Sequence, residues 1–192
     1  ILNYERAIEI KSDIAEFYNA IGNAQIELGK ISEGVSNYKK AIDIKPDHAN
    51  SHHNLALVYK EIGEFENSIK SHELAIKYEP ENLMNYHFLS ELKKNILDSQ
   101  LKNKIEKILS NNKPTTNNAA YGNYLLAKYE RKEKNYEKEL NYLIEGHKNF
   151  FKLKKSKFDL LVKYTFDNML QIAEETVVEK LSKKSSSEVK PI

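Results

Sequence analysis

Pro46 and Pro80 stand 34 residues apart, and the residues that precede one recur before the other. Tyr18, Ile21-Gly22, Gly29, Ala41 and Pro46 align with His52, Leu55-Ala56, Gly63, Ala75 and Pro80, with Tyr38 on the first unit and Tyr59 on the second as further bulky positions. Glu27 with Glu61 and Ile42 with Ile76 keep the same register. A period of this length is one helix hairpin per unit. A single hairpin cannot bury its apolar face alone, so neighbouring hairpins must stack.

Each recurring residue has a mechanical role. Gly22 and Ala56 are small where the two helices of a hairpin cross. Gly29 and Gly63 stand where a first helix must stop, and glycine accepts the left-handed backbone that such a stop requires. Ala41 and Ala75 let the second helix approach the next unit. Tyr18, Tyr38 and Tyr59 are large knobs between helices. Pro46 and Pro80 end the second helix.

Over residues 14–80 these positions resemble the tetratricopeptide-repeat (TPR) family. The resemblance implies an all-α, right-handed solenoid of helix hairpins. Residues 1–12 read as the second helix of a truncated repeat, with Tyr4 and Ala7 one period before Tyr38 and Ala41. Residues 14–47 and 48–82 are two full repeats, and 83–110 a degenerate hairpin in which Ser90 replaces the small residue and no glycine follows. In its second half, Leu101, Ile105, Ile108 and Leu109 form a helical stripe. Residues 111–118, SNNKPTTNN with its neighbours, read as a loop. A divergent hairpin over 119–151 places Leu126-Ala127 at the Leu-Gly pair, Asn135-Tyr136 at the turn, and Leu140, Leu143 and Gly146 on the second helix. Phe158, Leu161, Val162, Phe166, Met169 and Ile172 give 157–181 one apolar helical face, and 182–192 is a polar linker.

Composition removes several function classes. Cysteine is absent, which excludes disulfides, thiol catalysis and cysteine-ligated metals. Net charge is +2, and of 30 basic residues only Arg6 and Arg131 are arginine. That weighs against base readout, which leans on the planar guanidinium fork. No apolar run reaches the length of a membrane span. No Gly-rich phosphate loop, HExxH or GxSxG pattern occurs. The expectation is a chain with no catalytic, cofactor-binding or metal residues, acting in the cytoplasm on a protein or peptide partner rather than on nucleic acid or membrane. Self-association is expected through the unpartnered apolar residues Leu2, Ile8 and Ile10 of the truncated repeat.

A further resemblance covers 119–192. Leu143-Ile-Glu-Gly146-His147, the basic stretch Lys148 to Lys157, a long helix and the closing Lys190-Pro191-Ile192 look like the N-terminal TPR region of a bacterial TPR-sulfotransferase protein. The resemblance implies a catalytic domain beyond residue 192, whose phosphosulfate-binding loop this sequence does not contain.

First helices of stacked TPR hairpins line a concave groove, the expected peptide site. The first unit supplies Glu16, Asn19, Asn23 and Glu27. The second supplies Asn50, His53, Asn54, Leu57, Lys60 and Glu61, and the third Met84, His87 and Glu91. Asn23 and Asn54 match the asparagines of the carboxylate clamp found in some TPRs, but its cationic positions read Asn19, Met84 and Phe88. His52 takes an aromatic knob position and is expected in the core. His52 and His53, about 100° apart on a helix, do not share an ion.

Overall fold

The computed structural model describes residues 11–111, 114–155 and 159. The chain divides into two compact units, 1–149 and 150–192. In the first, α1 (Ala15–Glu27), α2 (Ile31–Ile44), α3 (Ala49–Glu61), α4 (Phe65–Tyr78), α5 (Leu83–Leu92), α6 (Ser99–Ser110) and α7 (Thr116–Lys132) follow in order, with α8 beginning at 136. A 3-10 turn, Lys94–Ile96, joins α5 to α6. No strand occurs among the described residues, and the all-α repeat fold expected from the period is what is observed. Residues 1–10 of the truncated repeat expected over 1–12, with its apolar residues, the long helix at 157–181 and the tail at 182–192 lie outside the described residues, apart from Asp159.

The hairpins close by one recurring device. Gly29 at φ 75°, Gly63 at φ 82° and Lys134 at φ 60° each stop a first helix in the left-handed region. Past each of them an amide donates five residues back. Lys30 N–H reaches Gln25 O at 2.9 Å, Glu64 N–H reaches Tyr59 O at 2.8 Å, and Asn135 N–H reaches Glu130 O at 2.9 Å. Lys134 therefore marks the third instance of the turn, in a position where sequence offered no glycine. Asn135 adds a side-chain bond to Glu130 Oε2 at 3.0 Å.

Inside the first hairpin, α1 and α2 meet at Gly22. A Cβ there would lie 2.6 Å from the Tyr38 ring and 3.1 Å from the Gly34 carbonyl. The second hairpin solves the same crossing with Ala56, Ser68 and His72, and Ser68 Oγ donates to Ala56 O at 2.8 Å. Ala41 and Ala75 are completely buried. Each repeat-to-repeat turn is fixed from the following helix: His52 Nε2 donates to Pro46 O at 2.9 Å and Tyr86 OH to Pro80 O at 3.1 Å. His52 is buried and stacked on Tyr78, as a knob should be.

The third unit departs from the pattern. Leu97 stands one period after Gly63, yet its φ is −79°, so the chain turns through the 3-10 segment instead. Leu101, Ile105 and Ile108 of α6 bury with Leu83 of α5 and Leu125, Leu126 and Tyr129 of α7, and α5 packs directly on α7. The expected loop at 111–118 is shorter than the sequence suggests. Thr115 Oγ1 accepts from Asn118 N–H at 3.2 Å and starts α7 at Thr116. Asn118 then ties α7 to the start of α5 through Leu83 N–H and Glu81 O, both at 3.0 Å. The basic stretch from Lys148 is helical through 155; no helix breaker interrupts it. In the second unit, Lys155 pairs with Asp159 at 2.6 Å.

Two stability tests follow from this geometry. No heavy atom lies within 4 Å of a Cβ placed on Gly63, so Gly63→Ala isolates the backbone term and should cost about 1 kcal/mol, while Lys134→Gly should stabilise by up to about 1 kcal/mol. Denaturant titrations giving the same sign for both would refute the shared turn. Gly22→Leu overpacks the Tyr38 contact and should cost about 2 kcal/mol or more, whereas Glu16→Ala, on an exposed position, should cost under about 0.5 kcal/mol.

Candidate functional site: the face of the first helices

Helices α1, α3, α5 and α7 present one continuous face, and the second helices lie behind it. Its first third is a closed asparagine network. Asn19 Oδ1 accepts from Ser51 Oγ at 3.1 Å and from Asn54 Nδ2 at 3.0 Å. Asn23 Oδ1 accepts from Asn54 Nδ2 at 2.9 Å and from Tyr38 OH at 2.7 Å. The two clamp-like asparagines are thus spent on holding α1 to α3. Glu16, exposed, faces Lys45 at 3.6 Å and His48 at 3.9 Å. Glu27, Asn50 and Glu61 are exposed, and Leu57 is half-buried between them.

The middle of the face is aromatic and dry. His53, assigned to the groove from sequence, is buried: its Nδ1 bonds Asn85 Oδ1 at 2.7 Å. Position 53 points between α3 and α5 rather than into solvent, because Asn85 stands across from it. His72 of α4 reaches the same Asn85 oxygen at 3.3 Å. Phe88 stacks on His72 with centroids 6.0 Å apart and lies 5.8 Å from Tyr121. His87 sits 5.3 Å from Tyr121 and 5.7 Å from Tyr124, and Tyr124 meets His147 at 5.3 Å. Met84, half-buried, receives Asn117 Nδ2 at 3.8 Å.

Burial drives the titration of these rings. It pushes His72 down to about 4, with the neighbouring His53 adding to it, and pushes His87 down to about 4, with the Lys128 charge adding to it. His72 Nε2 and His87 Nδ1 are buried without a hydrogen-bond partner among the described residues, so the neutral rings are the stable form. Burial also raises the Tyr121 and Tyr124 phenols.

The far end of the face is charged. Burial alone would raise Glu91. The hydrogen bond and charge of Lys60, together with the charge of Lys128, outweigh it and hold the carboxyl below its usual range. His87 Nε2 faces the other Glu91 oxygen at 3.4 Å. Lys128, half-buried on α7, donates to Ser90 Oγ at 2.7 Å, and burial depresses its ammonium. Arg131 pairs with Glu139 of α8 at 2.6 Å. A cleft of about 660 Å³ opens between α5 and α7, and a smaller one of about 280 Å³ lies between His87, Tyr124, Lys128 and α8. Tyr121, Tyr124, Lys128 and Arg131 were missed from sequence. The signal was present: Leu126-Ala127 sets the register of α7, and the groove positions follow from it. On α8, Gly146 is required by contact, since a Cβ would lie 2.7 Å from the Tyr124 ring.

These features define a helical-repeat protein whose first helices form a shared face. The TPR repeat model matches residues 22–63 and the tetratricopeptide repeat model residues 49–82, covering the second hairpin and the first from Gly22 onward. Residues 22–82 of this chain are tetratricopeptide repeats. It is similar in fold to YrrB, a TPR protein with an unusual peptide-binding site, at 16% identity and a TM-score of 0.53, with 74% of each chain covered. MamA is similar at 14% identity and a TM-score of 0.50, over 79% of this chain and 87% of that one. No curated protein matches this chain in sequence.

The histidine shifts give a signed prediction. In the folded state His72 and His87 lie below their ordinary 6.5, so the unfolded chain binds more protons between pH 6.5 and about 4. Stability should be greatest above pH 6.5 and fall as pH drops toward 4. His72→Leu should flatten that limb in urea titrations; an unchanged acid slope would refute the assignment.

Proposed function

We propose that this chain is a protein-interaction module that binds an extended or helical peptide along the face of α1, α3, α5 and α7. The observation that carries the reading is the aromatic and charged half of that face. Tyr121, Tyr124 and His87 form a wall of large rings beside two open clefts, and such rings supply contact area at low entropic cost. Asn50, Leu57, Lys60, Glu61, Met84, His87 and Glu91 border it from α3 and α5. Glu16, Asn19, Asn23, Asn54 and Glu27 would contribute as a polar rim, and His53 as support from beneath.

A second reading makes the same solenoid the substrate-presenting arm of a sulfotransferase. What supports it is the Leu143-Ile-Glu-Gly146-His147 pattern on α8, and the encoding reading frame past Ile192 tests it.

The groove is tested with a displayed random peptide library selected against the full chain. Selected peptides should lose affinity about tenfold or more on Tyr124→Ala or Leu57→Arg, the scale of an interface anchor. Lys39→Glu, an exposed position on α2, should leave them unchanged. A library that yields no binder, or binders indifferent to both groove variants, would overturn the reading.

A further inference from the structure

The cleft between α5 and α7 holds more positive charge than its own carboxylates neutralise. Lys94, Lys128, Arg131 and Lys132 line it, with Glu91 as its only acidic wall residue. Glu91 is engaged by Lys60 and His87. Arg131 is engaged by Glu139. Among the described residues, no carboxylate forms an ion pair with Lys94, Lys128 or Lys132. The whole chain carries only +2, so this excess is local.

Helix ends explain part of it. Arg131 and Lys132 lie in the last turn of α7, where cations offset the unpaired carbonyls. Lys128 is not explained that way. It stands a turn earlier and half-buried; among the described residues its ammonium hydrogen-bonds only neutral oxygens, Ser90 Oγ at 2.7 Å and His87 O at 3.4 Å, while Glu91, already engaged by Lys60, acts on it by charge without forming an ion pair. A part-dry cation with neutral partners is costly unless an anion completes its shell. At about 660 Å³, the cleft has room for side chains of a ligand, and it is continuous with the aromatic wall through Lys128 and His87.

We propose that this cleft is the subsite for acidic side chains of the bound peptide, a segment carrying two or more Asp or Glu residues, with Lys128 as the central contact and Lys94 and Lys132 flanking it. The proposal rests on the peptide-groove reading and adds the chemistry of the partner. A nucleic-acid backbone fits less well, because its phosphates would run onto Glu91 and Glu139 on either side, and the single arginine of the cleft is already committed.

The test is calorimetry of the full chain with octaglutamate and, as control, octaglutamine. Octaglutamate should bind and octaglutamine should not. Binding should weaken several-fold between about 50 and about 300 mM salt, as a partly screened charge contact does. Lys128→Gln with Lys132→Gln should weaken it at least about fivefold with an unchanged melting temperature, while Lys39→Gln with Lys70→Gln, exposed on α2 and α4, should not. Octaglutamate binding that ignores the cleft variants overturns the proposal. So does absence of octaglutamate binding when library peptides without acidic residues still occupy the groove, an outcome that leaves the groove reading standing. A single-stranded oligonucleotide that binds more tightly than octaglutamate and is lost on the same cleft substitutions overturns the choice of partner.

Discussion

The 6→1 hydrogen bond across a left-handed residue is the constraint on which this solenoid depends. It appears at Gly29, Gly63 and Lys134, and each time it folds a second helix back against the first. Once that angle is fixed, the second helices occupy the rear of the structure. The first helices are left side by side with their polar positions toward one another. The Asn19–Asn54–Asn23 network, the His53–Asn85–His72 cluster and the Lys60–Glu91 pair are three successive answers to the problem of packing those polar faces without orphaned groups. The answers grow drier and then more charged along the chain.

That gradient separates structure from recognition. Between α1 and α3, Asn19, Asn23 and Asn54 are tied to one another and to Ser51 and Tyr38, so the surface there is cohesive. Between α5 and α7, joined in sequence through the 3-10 turn and α6, the helices pack on one another yet leave a cleft of about 660 Å³ at their C-terminal ends. Lys128 there rests on a hydroxyl and a carbonyl, and His87 Nδ1 is buried without a hydrogen-bond partner among the described residues. Irregularity in the third unit is thus what opens space on a face that regular stacking would have sealed. The chemistry of the groove resides where the repeat is worst.

The two regular hairpins were legible because glycine, alanine and proline recur at one period. The same logic explains what sequence concealed. Leu97 occupies the turn position without the conformational freedom of glycine, and nothing local announces a 3-10 replacement. Lys134 adopts the left-handed conformation although a lysine gives no hint of it, and it stands three residues beyond two full periods from Gly63. Leu126-Ala127 nonetheless carries the register of α7, from which Tyr121, Tyr124 and Lys128 follow as groove positions. His53 was assigned to the groove, but it is buried against Asn85, a residue 32 positions further along whose role is purely tertiary. The boundary at Thr116 was obscured by an asparagine-rich run that composition assigns to a loop, although Thr115 carries a capping signal.

The crossing at Gly22 has a consequence for how such a chain can change. Gly22, Gly34 and Tyr38 form one matched set, and Ala56, Ser68 and His72 form another at equivalent positions. A bulky ring is accommodated by two glycines in the first, and a smaller ring accompanies two larger partners in the second. The members of a set come from both helices of one hairpin. Whole hairpins are therefore the units of exchange: recombination between repeats conserves fit when its breakpoints fall in the Pro46 or Pro80 turns, and destroys it when they fall at Gly29 or Gly63, where a ring meets the wrong pair of neighbours.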